Sequence, residues 1–379
     1  MSRRGFTLVE MLVAVLISAI VVVAASQVAT VVFRSSNKGE QRTDLALRSR
    51  IITEQLRDDI RSAGLGSTGA VGVDPGVLPF SSMFINTPVG GYPAIPVVAG
   101  ANNTPVQALP GGVLAGGSDA LQLVVANPGR RIVTDGRAAA GANSVDTLLG
   151  ADVALSGCDM VLIHDHTSPN GSGRTQLAVV SLLAPTLVTI TGSLLFSVAP
   201  GSEVTCARIS TYWLDDEDWL HRTDLLPGVV PVQIGATRVF VTAPAPVTTD
   251  IMAPAVESFQ VSYRVSSEAY RQAQPALPLP AAETGRWAFI PDVPNASGLM
   301  TQDHLWFEVR LVRATMYLRE QRALVLGSGT TRTIPNIVDG DDVVIPRAAG
   351  GDWVTTAEAV ASLQMFDSAT AADVPAEPY

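Results

Sequence analysis

Apolar residues run almost unbroken from Met11 to Phe33, interrupted only by Ser18, Ser26, Gln27 and Thr30. A run of that length crosses a bilayer as one helix of about 20 residues. No proline occurs before Pro75, so nothing stops the helix from continuing. Further on the pattern turns one-sided. Leu45, Ile52, Leu56, Ile60 and Ala63 recur at the spacing of one face of an amphipathic helix. Arg50 with Glu54, Glu54 with Arg57, and Asp58 with Arg61 stand three or four residues apart on the solvent side. Gly64 is placed to end the helix as its C′ residue.

Beyond the helix the period shortens to two. Residues 65–118 are rich in Gly, Pro, Ala and Val with little charge, and read as long loops or an insertion carrying short strands. Strand-like segments then dominate 119–366: DALQLVVAN, DMVLIHDH, QLAVVSLL, LVTITG, EVTCARISTYWL, TRVFVT, VESFQVSYRV and WFEVRLVRATMYL. Each is rich in β-branched or aromatic residues, or alternates, between turn residues. In VESFQVSYRV, Val256, Ser258, Gln260, Ser262 and Arg264 share one face, while Glu257, Phe259, Val261, Tyr263 and Val265 share a largely apolar one. That predicts antiparallel sheet with one wet face. Residues 367–379 form an acidic, Ala/Pro-rich tail expected to be flexible. The fold class is α+β: a long N-terminal transmembrane and stalk helix, then a large β-rich head of antiparallel sheet.

Composition supports a folded head. Hydrophobic residues make up 47% of the chain and charged residues 16%, which excludes disorder throughout. The net charge of -10 argues against a nucleic-acid partner, because phosphate backbones demand cationic surface. The two cysteines, Cys158 and Cys206, can form a disulfide if the head lies outside the cytoplasm. Closing that loop stabilises by about 4 kcal/mol in the chain-entropy model. Two buried thiols are the alternative.

The chemistry of the N-terminus changes the picture most. Arg3 and Arg4 precede the apolar run, so the positive-inside rule puts the N-terminus in the cytoplasm and the head beyond the membrane. Glu10 is the anomaly, since a carboxylate costs up to about 3 kcal/mol at a bilayer centre and usually has a partner. A secretory signal peptide carries no acid there and ends in a small-residue cleavage site; Ala24-Ala25-Ser26 matches that only loosely.

Gly5, Phe6, Thr7 and Glu10, after a short basic leader and before the apolar run, resemble the type IV prepilin processing motif. The resemblance implies cleavage after Gly5 by a prepilin peptidase and N-methylation of Phe6. It also implies that Glu10 pairs with the N-terminal amine of a neighbouring subunit. An unpartnered carboxylate is costly in an apolar setting, so such a pair rewards assembly and sets register. The implied partners are the peptidase and methylase, other pilins through the N-terminal helix, and the inner-membrane pilus assembly machinery. The implied location is a single-pass inner-membrane protein that moves into a pilus in the periplasm or at the cell surface.

On this reading 1–5 is the leader peptide, 6–33 the transmembrane half of the helix, 34–64 its amphipathic half, and 119–366 the head. The head adds a looser likeness. ISTYWLDDEDWLHRTDLL, then APAVESFQVSYRV, then WFEVRLVRATMYLRE, is similar to the PilW-like minor pilins, and LRDDIRSAG fits the same group. DWVTTAEAVASLQMF resembles that group's last strand only in part. The implied function is a minor pilin that is incorporated into a pilus or primes its assembly, for motility, adhesion or DNA uptake. The alternatives are a type II secretion pseudopilin near the filament tip, or a filament-displayed adhesin or DNA-binding module.

No catalytic constellation stands out, and no cofactor is expected: there is no nucleophile elbow, zinc motif or phosphate loop. GLGSTG at 64–69 follows a helix instead of a strand, and reads as a helix stop and flexible linker. His164 and His166 flank Asp165 at a strand end and read as a surface pair. Asp215, Asp216 and Asp218 form one acidic turn, and Asp339 and Asp341 belong to another. Solvated turns are the default for both, with calcium the secondary possibility. The tryptophans, Trp213 among them, are expected in the core.

Overall fold

A computed structural model describes residues 8–65, 67, 70–74, 94–101, 107–109, 112–165, 174–225, 231–234, 237–242, 248–265, 309–319, 330–335, 342–347 and 354–362. The chain divides into two compact units, Met1–Arg48 and Ser49–Tyr379, with the division falling inside the first helix.

Helix α1 runs over Leu8–Ser62. Its predicted apolar stripe is realised, for Ile52, Leu56, Ile60 and Ala63 are all at most 2% exposed. Burying three such branched side chains stabilises by roughly 2 kcal/mol each. Arg50 pairs with Glu54 at 2.8 Å on the solvent side, and Arg48 pairs with Asp44. The helix ends as its glycine predicts. Gly64 is left-handed (φ 60°), and its N–H donates to the Val124 carbonyl at 2.8 Å. A Cβ there would lie 2.4 Å from Val97 Cγ1. With Ser67 fully buried, this turn is packed against the sheet, where a flexible linker was expected.

The strands follow in chain order. The stretch read as loops supplies β1 (Ala70–Val73), β2 (Ala94–Pro96), β3 (Val98–Ala101), β4 (Gln107–Leu109) and β5 (Gly112–Leu114). Next come β6 (Ala120–Val133), β7 (Ser144–Asp146), a short helix α2 (Ala151–Ala154), β8 (Met160–Asp165), β9 (Arg174–Ala184) and β10 (Leu187–Thr191). Then follow β11 (Glu203–Leu214), β12 (Leu220–Leu225), β13 (Pro231–Ile234), β14 (Thr237–Thr242), β15 (Thr248–Ala253) and β16 (Val256–Val265). The last are β17 (Val309–Arg319), β18 (Thr330–Pro335), β19 (Asp342–Arg347) and β20 (Val354–Ser362).

Eleven strands join in one sheet whose spine is β15-β12-β11-β8-β9-β1-β2. Every pairing in it is antiparallel except β1 with β9. Strand β11 is its hub. One edge pairs with β8 along its first half and β12 along its second, while the other edge pairs with β6. A second sheet, β16-β17-β20, is antiparallel throughout, so DWVTTAEAVASLQMF does supply a strand, laid along β17.

The wet face expected of β16 is absent: Ser258, Gln260 and Ser262 are each at most 2% exposed, like Phe259, Val261 and Tyr263. Hydrogen bonds offset part of that burial. Gln260 Nε2 donates to the Gly117 carbonyl and to Ser258 Oγ, and the Val261 N–H donates to Asp119 Oδ2. Tyr263 in turn fills the space over Gly100 of β3, where a Cβ would lie 1.8 Å from its hydroxyl.

Candidate functional site

The N-terminal segment comes first. Met11–Phe33 is a 23-residue stretch of α1 long and apolar enough to cross a membrane, and none of it is buried within the chain. Leu8, Val22 and Phe33 are exposed by 79%, 67% and 69%. In water such a surface is unfavourable; in lipid or against other apolar helices it is satisfied. Its hydroxyl residues are already provided for. Ser18 donates to the Ala14 carbonyl, Ser26 to Val23 and Thr30 to Ser26, each at 2.8 Å. No hydroxyl is therefore left unbonded by entering an apolar medium. Glu10 lies within α1; Gly5 and Phe6 fall outside the described residues.

The second site is a charged clasp that holds the end of α1 on the sheet, and sequence reasoning missed it. Asp59, 7% exposed, accepts a hydrogen bond from Arg208 Nη2 at 2.8 Å and another from the Tyr212 hydroxyl. Both partners lie on β11. From β12, Arg222 Nη1 approaches the same carboxylate at 4.0 Å, while its Nη2 donates to Asp250 of β15 at 2.6 Å. Asp224 closes the network, accepting from Ser210 Oγ at 2.6 Å and facing Arg208 and Arg222 at 3.8 and 3.6 Å. Burial raises the Tyr212 hydroxyl well above its ordinary value of 10.0. The charge of Asp59 and the bond to it raise it further, against Arg222 and Arg208. The phenol thus stays protonated and donating.

The acidic turn proves to be built around one of its members. Asp215 is 6% exposed, so it is no solvated turn residue. Its Oδ1 accepts the N–H groups of Glu217 and Trp219 at 3.0 and 2.7 Å, and its Oδ2 lies 2.6 Å from His221 Nε2. The His221 ring stacks on Trp213, centroids 4.6 Å apart, and Trp213 is fully buried as expected. Asp216 is exposed and Asp218 half-buried, with Asp218 in the left-handed region (φ 64°). Its carbonyl accepts the Val256 N–H, which ties the turn to β16. Asp215 is thereby spent on the turn, and among the described residues no group of three His, Cys, Asp or Glu could hold a metal. Asp339 and Asp341 lie outside the described residues. His164 is also buried, its Nδ1 2.6 Å from Thr175 Oγ1, instead of sitting on the surface. His166 falls outside the described residues.

The cysteines are bridged. Cys158 and Cys206 stand 5.6 Å apart at Cα, joining the turn after α2 to the hub strand. Cys158 belongs to an apolar cluster with Leu155, Val161, Ile163, Phe196 and Val204.

Comparison with known proteins bears on the N-terminus alone. Residues 1–26 match the family model described as the prokaryotic N-terminal methylation motif. No curated protein and no solved structure matches the chain. The motif supports a type IV prepilin-like protein, structural in nature, with prepilin peptidase processing and pilin assembly as its context. Together with the apolar helix it fits an inner-membrane-anchored pilin.

Proposed function

We propose that this prepilin-like chain is a minor type IV pilin, most similar to the PilW-like group, that enters a pilus or primes its assembly. The observation carrying the proposal is the methylation motif at residues 1–26, which runs into an apolar helical stretch, Met11–Phe33, that buries nothing within its own chain. A helix of that kind is a half-made interface, completed first by lipid and then by the helices of other subunits.

In this reading residues 1–5 are removed as a leader by cleavage after Gly5, and Phe6 becomes the methylated N-terminus. Glu10 pairs with the N-terminal amine of a neighbouring subunit, which relieves the cost of its carboxylate among apolar residues. Arg3 and Arg4 keep the leader in the cytoplasm, where the positive-inside rule places them. A bulky unit, Ser49–Tyr379, favours a rare or tip-proximal place over a repeating shaft position, because such heads crowd a tightly wound filament.

The test is the N-terminal residue of the mature protein. Wild type should begin with methylated Phe6, and Gly5→Ala should accumulate in the membrane at precursor mass; an unchanged mature mass in that variant would remove the processing role. Glu10→Ala should be processed yet depleted from sheared filaments, and normal incorporation would remove its pairing role.

A further inference from the structure

Cys206 sits beside a bulge in the ladder between β11 and β6. On one side β11 keeps register with β8, Cys206 facing Val161. On the other, pairing with β6 jumps from Thr205 opposite Arg131 to Cys206 opposite Asn127, so Pro128, Gly129 and Arg130 swell out of the ladder. Asn127 Oδ1 accepts the Gly129 N–H at 3.1 Å and holds the bulge in shape. Between the bulge, the turn at Gly157–Asp159 and β11 lies a cavity of about 290 Å³. Both cysteines line it, together with Arg130, Arg208, Asp159 and Asp224. Cys158 is 6% exposed, whereas Cys206 is only half-buried.

A structural disulfide is inert when no nucleophile reaches it, and exchange depends on access and on neighbouring cations that favour thiolates. This bridge has both. Arg208 is engaged by Asp59, Ser210 and Asp224, while Arg130 stands half-buried on the bulge. We infer that the Cys158–Cys206 bridge is a thiol-exchange site, opened from the Cys206 side by small thiols carrying negative charge.

In the step, an incoming thiolate attacks Cys206 Sγ. A mixed disulfide forms as the Cys158–Cys206 bond breaks, and Cys158 leaves as a thiolate on the wall of the same cavity, where it takes a proton from water. A second thiolate attacking the mixed disulfide releases the small molecule as its own disulfide and leaves both cysteines reduced. The small thiol is thus the only reductant required. The inference goes beyond the pilin reading and stands or falls independently of it, since it concerns the folded head alone.

The test is mass spectrometry of the full chain in detergent after brief exposure to glutathione or to the neutral thiol 2-mercaptoethanol, mapping the mixed disulfide by peptide. Glutathione should add to Cys206 in preference to Cys158. Arg130→Gln should slow that reaction about threefold, the scale of one exposed charge interaction, and leave 2-mercaptoethanol unaffected. Three results would each overturn the inference: no adduct on the folded chain under conditions that modify the urea-unfolded chain, equal addition at both cysteines, or a glutathione rate indifferent to Arg130.

Discussion

At Asp59 one carboxylate meets two guanidinium groups and a phenol, and three elements depend on it. Removing a buried partner of this kind costs more than the pair contributes, because it leaves the buried Tyr212 hydroxyl without its acceptor and Arg208 and Arg222 with only Asp224 and Asp250 to offset them. Asp59→Ala should therefore lower the unfolding free energy by about 3–5 kcal/mol, read from urea denaturation. Tyr212→Phe should cost only about 1 kcal/mol near neutral pH, with a distinctive pH signature. The Tyr212 hydroxyl is raised in the folded state above its ordinary value of 10.0. Its contribution is fully present below that value and is lost as pH rises through the folded one. The wild type should weaken in alkali above about pH 10, and the Phe variant should show a shallower decline. Asp59 was illegible in the sequence because its partners lie 149 and 153 residues away. Its spacing, three residues after Leu56 and four before Ala63, sets it beside the apolar stripe, unlike Asp58, but does not say what it meets there. Asp215 misled for a related reason: a run of four acids reads as solvated, although one of them points inward to hold the turn.

Among the elements, legibility followed composition more than length, for five-residue β10 was read as a strand and six-residue β12 and β15 were not. The eight strand segments read from β-branched or aromatic enrichment or from alternation all appear as strands, because they carry the residues that fill a pleated surface. Strands β1 to β5 have only three or four residues each, too few to display a period, and β1 and β3 find partners beyond this stretch, in β9 and β6. β16 shows the opposite failure. Its period is clear, yet its polar face is buried, with Gln260 Nε2 reaching the Gly117 carbonyl and Ser258 Oγ. The stripe on α1 was plain, and it gives a graded prediction. Leu56→Ala, at a fully buried position, should cost about 3 kcal/mol. Leu47→Ala, 55% exposed on the same helix, should cost under about 0.5 kcal/mol. Equal effects on the urea midpoint would mean that the buried stripe does not hold the helix.

For the molecule as a whole, most of the exposed large apolar side chains among the described residues fall between Leu8 and Phe33, and the unit from Ser49 onward has its own core. A chain beginning at Arg34 should remain in solution without detergent and unfold at the same urea midpoint as the full chain in micelles, checked by circular dichroism; aggregation would show that the head relies on the removed segment. The candidate site was legible at this scale because membrane chemistry is written in consecutive residues, whereas the clasp and the disulfide cavity exist only once strands are paired. The hub position of β11 has a mechanical consequence. Tension carried along α1 passes through Asp59 to Arg208 and Tyr212, and so enters the sheet at a strand laced along both edges. An edge strand could be unzipped one bond at a time. β11 must instead shear two ladders together, so the head resists pulling at its strongest seam.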